Sequence, residues 1–277
     1  MKLKTFLLVF TFLLSFSAFS QKTGKSAPHG NAKIIKPNST SAYGNTLLPH
    51  DTCLKKKLSL MIYIFLDSLG NPGVTAANLT TMVNNLNKYF KPICLSFQNC
   101  STKYVPEWKY NQWDRPNHEF KMVGSYNYYT EKTINIYLVD NAGGEPDGYS
   151  HRPIPGDTID LIVLNKNQIT GFSPEHEMGH FFGLLDTHDA AAGAELVKRT
   201  NCYTAGDLFC DTDADPYPIG VGPSTCGFVY GPKDAALNFY EPPVDNIMSY
   251  WSCRCRFTQE QYNKMAYIYI TKRKYLH

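Results

Sequence analysis

Several things are scarce in this 277-residue chain, and each scarcity excludes something. Charge of one sign is scarce: 27 Lys and Arg face 24 Asp and Glu, for a formal net charge of +3. Lys2 and Lys4 contribute two of those positives, so a chain without its first segment sits near +1. That balance gives no reason to expect nucleic-acid binding or steering of an acidic partner. Long apolar runs are absent after the first twenty residues, so no later segment is expected to span a membrane. No two cysteines have the C-x2-C spacing of a cysteine zinc site, and Cys253-x-Cys255 alone is a weak signal. There is no internal repeat and no low-complexity array.

What is present begins with an address. Met1 to Lys4 is a basic start, Thr5 to Leu14 is apolar, and Ala18-Phe19-Ser20 before Gln21 resembles a cleavage site. Residues 1–20 are therefore read as a secretory signal, which places the mature protein outside the cell or in a periplasm. The apolar stretch is shorter than a bilayer span requires. Residues 21–50 are rich in Lys, Ser, Asn, Pro and Gly and read as a flexible leader or short pro-segment. His29 and His50 are its only potential metal ligands, and it contains no cysteine. Eight cysteines behind a signal favour disulfides, concentrated in the C-terminal third.

Residues 51–277 read as one α+β domain. Lys57–Asp67 is dense in β-branched and aromatic residues and reads as a strand. Ala76–Phe90 has helical spacing through Leu79, Met82, Val83, Leu86 and Phe90. Ile93–Phe97, Lys132–Val139 and Ile159–Leu164 read as further strands, and Gly148–His151 as a short edge strand. A helix starts at Ser173, with Ser173 as N-cap and Pro174 at the first helical position. Pro216–Pro243 is long, Gly/Pro-rich and irregular. Thr258–Thr271 is a closing helix capped by Thr258.

The chemistry sits at His176-Glu177-Met178-Gly179-His180. Four residues apart on a helix, the two imidazoles lie one above the other on one face, where both reach one ion. Glu177 lies beside them and can take a proton from a metal-activated water without being a ligand. Gly183 lets the helix stop and the chain turn. Asp186 and His188 follow as candidates for the third protein ligand that zinc requires. The short motif also occurs by chance on solvated helices, and a methionine such as Met248 is an ordinary core filler when taken alone.

The longer pattern is specific. H-E-M-G-H-F-F-G-L-L-D, from His176 to Asp186, resembles the elongated zinc motif of the metzincins, with Asp at the third-ligand place. Asn246-Ile247-Met248-Ser249-Tyr250 looks like their Met-turn. Gly206-Asp207-Leu208-Phe209-Cys210-Asp211-Thr212 resembles a segment of the pappalysins, as do Cys253, Phe257-Thr258 and Gln261. The match spans roughly residues 130 to 265. Asp186 resembles the snapalysin variant of the motif, and Asp213 stands where the pappalysins have Pro.

The resemblance implies a metzincin-type zincin. Its upper lobe carries a twisted mixed sheet and the active-site helix; its lower lobe is irregular and disulfide-bonded. It implies a zinc endopeptidase with His176, His180 and Asp186 as ligands and His188 as the rival third ligand. It implies Glu177 as general base, Tyr250 assisting the oxyanion and Met248 beneath the metal. Peptide or protein substrate is expected as an extended strand along Gly148–Arg152. A calcium ion held by Asp207, Asp211 and Thr212 is weighed equally against a plain Asx-turn loop. The opposing reading is a secreted binding module on a dead scaffold, and Glu177 beside both histidines argues against it. Oligomeric state, natural substrate and cysteine pairing are not legible.

Overall fold

The computed structural model describes residues 52–125, 127–216 and 231–277. The signal, the leader with His29 and His50, and the middle of the Gly/Pro-rich stretch lie outside the described residues.

Among the described residues, five strands form one mixed sheet in the order β2-β1-β3-β5-β4. They are β1 (Lys56–Phe65), β2 (Leu95–Val105), β3 (Ile134–Val139), β4 (Gly148–Ser150) and β5 (Leu161–Asn165). β1, β2, β3 and β5 run parallel, and β4 pairs antiparallel to β5 at the edge. Parallel strands are covered on both faces, which is why LMIYIF, INIYLV and LIVLN read as continuous apolar runs. Alternation still divides them. Leu58, Leu60, Ile62 and Ile64 of β1 face one core with the long helices. Tyr63 and Phe65 face another with Trp113, Tyr137 and Tyr149.

Helix α1 (Ala76–Phe90) has the bounds that its spacing predicts, and it is closed by a capping box between Thr75 and Asn78. β2 runs well beyond the expected Phe97, because its polar outer half pairs with β1 along the sheet edge. Cys100 is the extra residue of a bulge in that pairing. Residues 106–131, which carry no clear periodicity, form short helical turns and α2 (Phe120–Val123) over the aromatic face of the sheet. α3 (Ser173–Phe181) starts where expected, but its N-cap is Phe172 and no side chain caps it; Ser173 and Pro174 are its first helical residues. α4 (Gln259–Lys272) begins after Thr258, whose capping box with Gln261 matches the expectation.

Cys53–Cys94 ties the entrance of β1 to the start of β2, and Cys202–Cys210 pins the irregular lower region. Cys253 is also disulfide-bonded. The disulfides that the cysteine count favours are present, while Cys100 and Cys255 are free and exposed. Cys100 is carried on the edge strand β2, which has no neighbour on its outer side in the sheet. Among the described residues, no helix is long and apolar enough to cross a membrane.

The candidate metal centre

Every residue of α3 is buried, including Glu175, His176, Glu177 and His180. A helix this polar is buried only when its side chains have partners of their own. Those of the histidines are backbone carbonyls: His176 Nδ1 donates to Ile247 O and His180 Nδ1 to Leu184 O, each at 2.9 Å. Both bonds put the proton on Nδ1 and leave a lone pair on Nε2. The two rings stand edge to face, 4.6 Å between centroids.

The chain then turns back under the helix. Gly183 has φ +87°, and a Cβ there would lie 2.9 Å from Ile268, so only glycine fits the turn. Gly183 N donates to His180 O and Leu184 N to Gly179 O. The turn delivers Asp186, whose Oδ1 lies 3.2 Å from His176 Nε2 and 3.3 Å from His180 Nε2. Among the described residues these three form the group of potential ligands whose donor atoms lie within 4.8 Å of one another. His188 is not part of that group. Its ring stacks edge-on against Tyr250 at 4.7 Å, and Tyr250 in turn lies 5.6 Å from the His176 ring.

The donor set fits a divalent cation. Two imidazole lone pairs and a carboxylate oxygen without a hydrogen-bond donor of its own converge in a buried space. Three electron-rich atoms repel one another unless a cation or a proton lies between them. Burial pulls His180 down to about 4, so its imidazole is neutral, as a ligand must be.

Glu177 is 3 % exposed, and its Oε2 has no hydrogen-bond partner. Burial pushes its carboxyl up to about 7; His176, Ser150 and Arg152 pull it down, while Asp186 adds to the rise. Tyr250 is raised above its ordinary value by burial and then by Asp186 and Glu177, so its hydroxyl keeps its proton.

The floor of the site is the 246–250 turn. Met248 N donates to Asn246 Oδ1 at 2.8 Å, Thr187 N donates to Met248 O at 3.0 Å, and Asn246 Nδ2 donates to Gln261 Oε1 at 3.0 Å. Gln261 thus caps α4 and fixes the turn at once. Arg273, at the end of α4, donates to Phe181 O and His151 O and pairs with buried Asp160, tying α3 to the sheet.

The loop of Asp207, Asp211 and Thr212 is built differently. The Thr212 hydroxyl donates to Asp207 at 2.9 Å, and Phe209 N donates to Asp207 Oδ1. Asp211 Oδ2 accepts from Glu260 N, and its Oδ1 has no partner. The sequence did not point to Glu195, which carries two buried oxygens without hydrogen-bond partners. Gly206 lies so close that a Cβ there would be 2.7 Å from Glu195 Oε2. Burial raises Glu195 to about 8 and lifts Asp207 well above the usual range.

No family model matches the chain. It is 25 % identical over 275 residues to an extracellular metalloprotease of Arthroderma gypseum, covering 92 % of this chain and 86 % of that one. It is 26 % identical over 242 residues to an extracellular metalloprotease of Podospora anserina, covering 78 % and 75 %. Among solved structures it is similar to mirolysin, with TM-score 0.58 at 16 % identity over 82 % of this chain and 96 % of that one. A promirolysin variant from Tannerella forsythia gives TM-score 0.57 at 15 % identity, over 82 % and 85 %. The chain thus has the fold of mirolysin, an α+β architecture with one mixed sheet.

Proposed function

We propose that this protein is an exported zinc endopeptidase of the metzincin type, with pappalysin-like features. The observation that carries the proposal is the convergence of His176, His180 and Asp186 beside Glu177, whose buried Oε2 has no hydrogen-bond partner. The extracellular metalloproteases to which the chain is similar support the same activity and the same location. In this reading residues 1–20 direct export, residues 21–50 are a leader, and residues 51–277 are the catalytic domain.

His176, His180 and Asp186 would hold the ion, and zinc there would supply the Lewis acidity that makes a water acidic near neutral pH. Glu177 would take a proton from the attacking water on its carboxylate and deliver it to the leaving amine of the cleaved peptide. The Tyr250 hydroxyl, protonated throughout, donates to the oxygen on which negative charge develops. Asp186 O accepts from Asp189 N and the following residue, Thr187, is bonded to the Met248 carbonyl, which keeps the third ligand in place. Substrate lies as an extended strand along β4, whose outer side has no strand partner in the sheet.

A calcium ion beside Asp207, Asp211 and Thr212 belongs to the same proposal. Glu195 supports it: a buried carboxylate with two unpartnered oxygens costs stability unless a cation compensates it. Calcium should raise the melting temperature of the wild type and not of Glu195→Gln.

The deciding experiment for the activity is cleavage of a peptide library by the purified protein, read by mass spectrometry with and without 1,10-phenanthroline. Cleavage that stops with chelator and returns with zinc supports the proposal. Cleavage that persists unchanged overturns it.

A further inference from the structure

Arg254 follows the 246–250 turn, and three features set it apart. Its side chain is only 16 % exposed. Its Nη1 donates to Ser249 O at 3.4 Å, which fixes it beside the turn under the metal centre. Its Nε is buried and has no hydrogen-bond partner, and its nearest carboxylate, Asp147 Oδ2, is 3.6 Å from Nη2, beyond a good hydrogen bond. A guanidinium offers five donors in a planar fork suited to a carboxylate. Here the fork is mostly screened from water and incompletely used.

Its location gives this meaning. Asp147 immediately precedes β4, and its carbonyl accepts from Asn165 N, so it belongs to the edge of the sheet. Arg254 belongs to the segment beneath the metal. The pair therefore connects the sheet edge with the floor, and the charge of Asp147 bears on Tyr250, so the pair lies beside the proposed metal centre. The charge of Arg254 bears on both His176 and Glu175 of α3, which places it within electrostatic reach of the reacting centre. Arg152, at the other end of β4, adds a second cation 3.4 Å from the His180 ring nitrogen.

We infer that Arg254 is a specificity-determining residue that receives an acidic side chain of the substrate, the incoming carboxylate replacing Asp147 on the guanidinium. Asp147 holds the guanidinium in place until then, at a separation loose enough to be exchanged. A carboxylate at hydrogen-bond distance from Nη2 makes the bond that Asp147, at 3.6 Å, leaves unmade. The inference rests on the proposed peptidase reading and on β4 as the substrate edge. Glu145 is the opposing feature: it feels the charge of Asp186 and its own charge bears on Tyr250, and it would favour a basic side chain instead.

The test uses the full mature protein loaded with zinc and sets of peptides identical except for Glu, Gln or Lys at one position flanking the scissile bond. At one position Glu should exceed Gln by roughly tenfold in kcat/KM, through KM, which is the size of one charge-assisted interaction. Arg254→Gln should erase the preference. Asp147→Asn, which removes the competing carboxylate and keeps Arg254, should enlarge it. Binding of the same peptides to the zinc-loaded Glu177→Ala protein, by fluorescence anisotropy, separates the two readings. A Glu preference in binding with no cleavage by the wild type leaves the Arg254 site standing and overturns the peptidase. Equal binding of Glu and Gln peptides, a preference for Lys, or a Glu preference that survives Arg254→Gln overturns the inference.

Discussion

Met248 packs directly against Gly179: a Cβ built on Gly179 would lie 2.5 Å from the Met248 sulfur. No side chain at position 179 coexists with the methionine where it stands. The glycine inside the H-E-M-G-H segment is thus a packing requirement of the turn beneath it, and the turn presents Ile247 O to His176.

Gly179→Ala should therefore push Met248 away and cost about 1–3 kcal/mol through overpacking. Thermal unfolding would show it as a lowered melting point, and zinc content after dialysis should fall with it. The double variant Gly179→Ala/Met248→Ala should recover part of the loss relative to the sum of the single variants, because the cavity and the clash cancel. Met248→Leu alone, a volume-conserving change, should cost under about 1.5 kcal/mol and keep measurable activity.

Glu177→Ala should bind zinc nearly as the wild type does and lose most of its turnover, on the order of 10²–10⁴-fold. Zinc analysis and kcat on a cleaved peptide check the two halves separately. A variant with near-wild-type kcat would remove Glu177 from the mechanism.

Asp186→Ala should lose zinc on dialysis, while His188→Ala should retain it, because His188 lies against Tyr250 and outside the three-residue group. If His188→Ala empties the site and Asp186→Ala stays full, the third ligand is His188.

His151 connects β4 to pH. Burial alone would lower its pKa, but Asp157 at 2.8 Å and Glu119 at 2.9 Å outweigh it and raise the group from 6.5 to about 9. A folded-state value above the unfolded one stabilises fully below pH 6.5 and is lost as pH rises through about 9. Glu119 and Asp157 are lowered from 4.5 and 3.8, so their share is present above those values and lost as the pH falls below them. The stability difference between wild type and His151→Gln should be largest between about pH 4.5 and 6.5 and shrink steadily toward pH 9. Denaturant unfolding at a series of pH values measures it; a difference independent of pH would show that His151 is not charged in the fold.

The fold was legible where one local signal dominated. The spacing from Leu79 to Phe90 and the Thr258–Gln261 cap gave α1 and the start of α4, since periodicity and capping are local chemistry. β2 was cut short because Gln98 to Tyr104 is polar, and its pairing is set by β1 rather than by its own residues. The reading of Ser173 as a cap failed because α3 starts one residue earlier than a Ser173 cap requires: Phe172 is its N-cap and Ser173 its first helical residue. In the metal centre, the spacing of His176 and His180 and the glycine at Gly183 were legible. Arg254, Glu195 and the fit of Gly179 to Met248 were not, because each depends on a segment far away in the chain. The free thiols at Cys100 and Cys255 could not be foreseen from an even cysteine count.

Arg273 joins Phe181, His151 and Asp160 at separations of 92, 122 and 113 residues along the chain. During synthesis the histidines emerge long before the arginine that braces their helix against the sheet. A ribosome-bound chain that already carries His176 and His180 still lacks that brace, together with the cap of α4 that fixes the floor of the pocket. The metal pocket is therefore braced only after a further 92 residues beyond Phe181 have been made.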